Sequence, residues 1–384
     1  MVRVLMVLGR AAGGVGAHVD DLTSRLRLLG HDVDVVTAAE TADAFGALEA
    51  QRLWPLHRGP AAVRGPLEWH RVMRLAGTVD VVHAHGHQAA VVAAVAVARA
   101  RPRPRLVVSL HNDLPPAGGS PARRVAAGLF GRLLRWSLRR AALVTGASDD
   151  LVRLAEELGA RRASLAVVPA TRVGELLAAA PLTPDGRREL FASAGLAPGL
   201  AEQPVVLTVS RIAPQKDLRT LVAAAARSRA AAVWVVVGDG DERLRAALVD
   251  EADGIRTRTG ERRGADVRLV GARDDVAAWL RAADVFVVTS RWEARALVVQ
   301  EAMAAGLPVV ATRTGGLPGL IGDAGSLVAV GDPDAVADEV DRLLADPDER
   351  ARLGAAARAV AASWAGPDDE ARRWVGRYLD TLPG

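Results

Sequence analysis

Two stretches of the chain hold residue types and spacings that could do chemistry. The first, VLTVSRIAPQKDLRTLVAAAA, runs strand, loop, helix and sets Arg211 and Lys216 on either side of a loop turned by Pro214. Of the 49 lysine and arginine residues, Lys216 is the only lysine. A compact ammonium kept against such a bias suits point contact with a phosphate, which the larger planar guanidinium meets differently. Both cations fall past the carboxyl end of a parallel strand, where open α/β sheets take their ligands. Asp217 is placed to cap the following helix, whose first amides attract anions. Together these features suit a diphosphate.

The second stretch, VFVVTSRWEARALVVQEAMAAGLPVVAT, runs strand, loop, helix, strand and carries Glu293 and Glu301. Glu293 belongs to the loop above the strand. The helix opens at about Leu297 or Val298, so Glu301 falls in its first turn or two and both carboxylates can face one site. The small residues after Glu301 indicate a close-packed helix, and a buried glutamate needs a partner.

The elements that must position these residues are legible as apolar runs alternating with helical patterns from end to end, which gives an α/β chain with parallel sheets. In the first half the strands read Arg3–Leu8, Val33–Thr37, Val79–His83, Leu106–Leu110, Leu143–Ala147 and Leu165–Val168. In the second they read Val205–Val209, Val233–Val237, Val267–Val270, Val285–Thr289, Val309–Thr312 and Ser326–Val328. Two Rossmann-like domains follow, at 1–180 and 200–364, with a hinge in the Pro- and Gly-rich connection 169–203. The C-terminal helix at about 367–384 is expected to pack back on the first domain. Asp332-Pro333 and Asp346-Pro347 read as helix starts.

Composition removes several classes. The 384 residues contain no cysteine, so there is no disulfide, thiolate nucleophile or Cys-ligated metal. The apolar stretch Val4–Leu8 is too short for a signal peptide, and the longest apolar run, Ala89–Ala98, is too short to cross a bilayer. A soluble, cytoplasmic protein is expected. A net charge of +4 gives no general support for nucleic-acid binding. All eight histidines lie between His18 and His111. His83, His85 and His87 alternate as if on one strand face, but no carboxylate completes a metal set, so structural or acceptor-binding roles are preferred. Asp239-Gly240-Asp241 follows a strand and opens a helix, and reads as capping. The stretch 121–140 combines Arg123, Arg124, Arg132, Arg135, Arg139 and Arg140 with Leu129, Leu133, Trp136 and Leu138. It reads as a crossover helix laying its apolar face on the sheet, with peripheral docking to the inner face of a membrane as the alternative.

These motifs together resemble retaining glycosyltransferase family 4, whose fold is GT-B: two Rossmann-like domains facing each other across a cleft. The resemblance spans nearly the whole chain. Besides the two stretches above it rests on GGVGAHVDDLTSRLRLLGHDVDVVT with Gly13, Gly14 and His18, on VDVVHAHG, on VVSLHNDLP and on VVGDGDERLRAAL. The later segments VRLVGARDDVAAWLRAADVFVVTS and GDPDAVADEVDRLLADPDERARLG continue it in order. It implies transfer of a sugar from a nucleoside-diphosphate sugar to an acceptor (a glycan, a lipid or a small molecule) with retention of configuration, no metal and no cofactor, in cell-envelope or glycan biosynthesis. Arg211 and Lys216 would hold the diphosphate, Glu301 the ribose hydroxyls, and Glu293 would face the transferred sugar. His111 would lie beside that sugar, and Gly13 and Gly14 would let amides approach the donor. Leu297, at the helix opening, and Arg273, in the wall guessed for the base, complete the donor set.

Two departures stand out. The family's E-G-F-G is here Glu293-Ala294-Arg295-Ala296, and its turn after the last strand of the first domain is here Pro169-Ala170-Thr171-Arg172. The first keeps open a non-catalytic relative that binds a sugar nucleotide or a partner. A GT-B epimerase or phosphorylase is the other alternative, disfavoured by the two-glutamate spacing. Gly9 to Gly14 lacks the dinucleotide spacing of a dehydrogenase.

Overall fold

A computed structural model describes residues 1–11, 13–45, 49–56, 65–114, 120–259 and 266–383. Ala12 and Pro115, within two of the motifs above, lie outside the described residues. The chain divides into two compact units, residues 1–169 with 365–384, and residues 170–364.

The first unit is built on seven parallel strands: β1 Arg3–Leu8, β2 Asp32–Thr37, β3 Gln51–Arg52, β4 Val81–His85, β5 Arg105–Leu110, β6 Leu143–Gly146 and β7 Ala163–Leu165. Their order across the sheet is β3-β2-β1-β4-β5-β6-β7. Its helices are α1 Gly14–Leu28, α2 Ala39–Ala44, α3 Gly65–Ala76, α4 His87–Arg99, α5 Pro121–Arg140 and α6 Asp149–Glu157, followed by a last one at the end of the chain, Pro367–Leu379. Val4 of β1 stands between Val33 of β2 and Val81 of β4. One face of the sheet, with Val4, Met6, Val81, Val107 and Leu143, buries Val19, Leu22 and Leu26 of α1 and Trp374 and Tyr378 of the C-terminal helix. Near-continuous aliphatic strands are what a parallel sheet covered on both faces demands.

The second unit has six parallel strands, β8 Val205–Val209, β9 Val233–Val237, β10 Asp266–Gly271, β11 Val285–Val288, β12 Val309–Thr312 and β13 Gly325–Val328, in the order β10-β9-β8-β11-β12-β13. Around them lie α7 Val173–Ala178, α8 Pro184–Ser193, α9 Leu218–Arg227, α10 Glu242–Thr259, α11 Val276–Ala282, α12 Leu297–Ala304, α13 Leu317–Ile321, α14 Pro333–Ala345 and α15 Pro347–Ala362; the C-terminal helix of the first unit is then α16. The period of two separates the cores: Val205, Leu207, Phe286 and Val309 face one layer, Val206, Trp234, Val287 and Val310 the other. Asp332 and Asp346 accept from the amides of Ala335 and Glu349, capping α14 and α15.

The structure corrects several boundaries. The chain leaves the first unit at Pro169 rather than at 180, and the expected hinge 169–203 is mostly part of the second unit. Leu176, Leu190, Phe191 and Leu200 are buried in that unit's core, so the prolines and glycines there punctuate short packed helices. The strand expected at Val79–His83 is Val81–His85, because Asp80 is used before the strand starts: its carboxylate accepts from the Arg3 amide and guanidinium. The strand expected at Leu165–Val168 lies earlier, at Ala163–Leu165, and β3 has no apolar run to betray it. Among the described residues no helix is long and apolar enough to cross a membrane.

Candidate functional site

In each sheet the first strand lies between the second and the fourth of its own half, so strand order reverses there and a crevice opens at the carboxyl ends. In the second unit the switch lies between β8 and β11. The loops that follow these two strands are the ones that carry Lys216 and Glu293.

After β8, Ile212 continues the strand pairing by one bridge to Gly240. The chain then turns through a short 3-10 segment, Pro214–Lys216, into α9. After β11, the loop 289–296 is fixed at several points. Thr289 Oγ1 donates to the carbonyls of Lys216 and Asp217, and Gln215 Nε2 donates to Trp292 O at 2.7 Å. Thr312 Oγ1 donates to Ser290 O, and the Gly316 amide to Glu293 O at 2.8 Å. Gly315 adopts φ +53°, and a Cβ there would lie 1.9 Å from Glu293 O, so only glycine permits this approach.

Held in this way, Lys216 Nζ donates to Glu293 Oε1, and Ser290 Oγ donates to the same oxygen at 2.7 Å. Both members of the pair are largely withdrawn from water, with side-chain exposures of 19% and 10%. Arg211 is exposed, and among the described residues its guanidinium has no carboxylate partner. Asp217 does not cap α9 with its side chain as expected. It occupies the left-handed region at φ 46°, ψ 46°, and its carboxylate pairs with Arg291 at 3.3 Å while its carbonyl receives the Thr220 amide.

Helix α12 opens at Leu297, and Glu301 is buried in its second turn. Its partner is Arg172, whose Nη1 stands 3.2 Å from Oε1. Burial pushes the Glu301 carboxyl above its usual range, and Arg172 partly offsets this. Arg172 was missed because it stands where the family carries a turn residue; the signal available was the need of a buried glutamate for a cation. Arg273 is already engaged, with Nε and Nη2 on Asp275 at 3.0 and 2.6 Å and Nη2 also 2.9 Å from Ser193 Oγ. Asp241 Oδ1 accepts from the Leu244 amide, which gives it a capping role at the start of α10.

The remaining predicted residues belong to the first unit. Gly13, at φ 78° and ψ −139°, precedes α1, and Gly14 is its first residue, so the loop after β1 ends on a helix N-terminus. His111 follows β5 and is buried in a cluster with His18 and His85; the rings of His85 and His111 stack, and His85 Nδ1 is 3.1 Å from His111 Nε2. His87 does not share their strand face, because β4 ends at His85 and His87 begins α4. His83 joins a buried chain instead: Tyr378 Oη lies 2.8 Å from His83 Nδ1, His83 Nε2 2.7 Å from Ser109 Oγ, and Ser109 Oγ 2.8 Å from Thr145 Oγ1. Among the described residues no group of three or more His, Asp or Glu side chains is placed to hold a metal ion. Burial keeps these imidazoles neutral, lowering His18 to about 4 and His111 to about 3, and His83 and His85 well below the ordinary value.

On the crossover helix α5, Leu134 and Leu138 are the leucines that pack inward. Leu129 and Leu133, expected on the buried face, are 59% and 40% exposed.

Two doubly wound parallel sheets, each in a unit of its own, fit the GT-B fold of glycosyltransferases. The comparisons agree. Residues 203–346 match the family "Glycosyl transferases group 1" and residues 13–171 the "Glycosyl transferase 4-like domain". D-inositol 3-phosphate glycosyltransferase of Streptomyces bingchenggensis is 30% identical over 90% of this chain and 80% of its own. The lipopolysaccharide core biosynthesis glycosyltransferase LpsE of Rhizobium meliloti is 35% identical over 40% of this chain, and the match spans 43% of that relative. Among solved structures, Anabaena Alr3699/HepE in complex with UDP superposes with a TM-score of 0.80 at 23% identity, covering 99% of this chain and all of that one. The chain belongs to the group 1 glycosyl transferases.

Two outcomes follow. Gly315→Ala adds both a left-handed strain and a backbone clash at Glu293, whereas Gly306→Ala, at φ +79° with nothing nearer than 3.8 Å, adds only the strain. Gly306→Ala should cost about 1 kcal/mol in urea denaturation and Gly315→Ala clearly more; equal costs would show that the loop does not depend on this approach. Second, His18 and His111 stay neutral in the folded protein while the unfolded chain protonates them below pH 6.5. Stability is therefore present above pH 6.5 and lost as pH falls toward 4, by about 1.4 kcal/mol per pH unit for each histidine once the unfolded state is fully protonated. The urea midpoint should drop between pH 7 and pH 5; a constant midpoint would contradict the neutral cluster.

Proposed function

We propose that this glycosyltransferase moves a sugar from a nucleoside-diphosphate sugar to an acceptor hydroxyl, with retention of anomeric configuration and without a metal. The observation that carries the reading is the Lys216–Glu293 pair over the switch point of the second sheet, beside the exposed Arg211. The anomeric carbon–oxygen bond to the diphosphate breaks, the acceptor oxygen bonds to that carbon, and the acceptor proton passes to the leaving phosphate on the same face. Negative charge grows on the diphosphate as the bond lengthens. Arg211 and Lys216 are fixed cations for that charge, and preorganised charge of this kind commonly supplies the largest share of catalysis.

In this reading Glu293 orients Lys216 and meets the sugar, Glu301 accepts from the ribose hydroxyls with Arg172 holding its carboxylate, and the amides at the opening of α12, from Leu297, take a phosphate oxygen. Arg273 stiffens the wall beside the base through Asp275. In the Glu293–Ala296 sequence the buried Ala294 and Ala296 stand in place of the family's glycines, and the Arg295 guanidinium lies over the Trp364 ring at 5.4 Å.

Calorimetric titration with UDP-, GDP-, ADP- and dTDP-sugars tests it. One nucleotide class should bind, and Lys216→Ala and Glu301→Ala should each weaken it about tenfold or more. If the wild type binds none at millimolar concentration, a non-catalytic role takes precedence.

A further inference from the structure

The edge of the first sheet opposite to its switch-point crevice carries an arginine-rich concavity. It is lined by Arg105 at the start of β5, by Arg132, Arg135, Arg139 and Arg140 on the last turns of α5, and by Arg161 in the turn before β7. No carboxylate is among its lining residues. All six arginines are exposed, and among the described residues none forms an ion pair. Several arginines elsewhere are neutralised: Arg3, Arg25, Arg187, Arg188 and Arg342 each meet a carboxylate. The neighbouring Arg162 does so too, pairing with Asp380.

Cations at the end of α5 complement the helix dipole, which accounts for Arg139 and Arg140. It does not account for Arg105, Arg132, Arg135 or Arg161, which come from three separate elements and converge on one hollow. Like charges gathered without counter-charges oppose folding, and the arrangement is relieved when an anion fills it. Two of the side chains are also positioned. Arg140 lies over the Trp136 ring at 4.8 Å, and Gly159, at φ +95°, leaves room for Arg139, whose Nε would stand 2.8 Å from a Cβ there.

We propose that this hollow is a second anion site, separate from the donor site, that binds a ligand bearing two or more phosphate groups. Guanidinium forks match phosphate oxygens in pairs, and six of them exceed what a single phosphate can use. The ligand is either free in solution or carried on a lipid, since Leu129 and Leu133 stand exposed farther along α5.

The test titrates tripolyphosphate into the Lys216→Ala protein, which lacks the cation of the donor site, and into the same protein carrying Arg132→Gln and Arg135→Gln. Tripolyphosphate should bind the first and bind the second about tenfold or more weakly. Arg132→Lys with Arg135→Lys should keep part of the affinity, and melting temperatures no lower than that of the Lys216→Ala protein establish that all variants fold. In parallel, the wild type and the glutamine pair are sedimented with vesicles of phosphatidylcholine containing cardiolipin, whose headgroup carries two phosphates, and with vesicles of phosphatidylcholine alone. Capture only by the cardiolipin vesicles, lost in the glutamine pair without binding of tripolyphosphate, assigns the phosphates to a lipid. Absence of both, or binding unchanged by the glutamine pair, overturns the proposal.

Discussion

The second unit is organised around one ion pair. Lys216 and Glu293 come from loops after different strands, and both are largely removed from water. Withdrawing two charges from solvent costs more than their attraction returns unless further hydrogen bonds and fixed geometry compensate. The surrounding contacts do this: Ser290 adds a donor to Glu293, Thr289 ties the second loop to the carbonyls of the first, Gln215 reaches Trp292, and the Gly315 turn clamps the carbonyl of Glu293. A largely buried cation that stands ready, rather than one recruited from solvent, is what the departure of a diphosphate under the proposed function would use.

The two units use the same architecture for different electrostatics. The second gathers charge at its switch point. The first gathers neutral polar groups: His18, His85 and His111 share a buried cluster, and a chain runs from Tyr378 through His83 and Ser109 to Thr145. Tyr378 comes from α16, so a helix at the end of the chain completes the polar interior of a unit built mainly from its beginning. Neutral imidazoles inside such an interior donate and accept without the cost of a buried charge.

Much of this was legible in the sequence. Near-continuous aliphatic runs gave Val205–Val209, Val233–Val237 and Val309–Thr312 to the residue, because central parallel strands must be apolar on both faces. The edge strands of the first sheet, which have no such run, were misplaced or missed, as β7 and β3 show, whereas the edge strands β10 and β13 of the second were read to within a residue. The lone lysine and the two glutamates marked the loops that matter, but pairing across a switch point is set by tertiary structure. Thus the Lys216–Glu293 and Arg172–Glu301 contacts could not be read from spacing. The capping role given to the Asp217 side chain failed because Arg291, 74 positions later in sequence, competes for its carboxylate. His87 was grouped with His83 and His85 because alternation alone does not say where a strand ends.

The most direct test of the account is a double-mutant cycle for Lys216→Met and Glu293→Gln, measured by urea denaturation. If the pair is the buried interaction around which the loops are built, each single variant strands an uncompensated charge. The double variant should then lie closer to wild type than the sum of the two, with a coupling of about 1 kcal/mol or more. Additivity within about 0.5 kcal/mol would mean that the two side chains act independently, and the account of the site would fail.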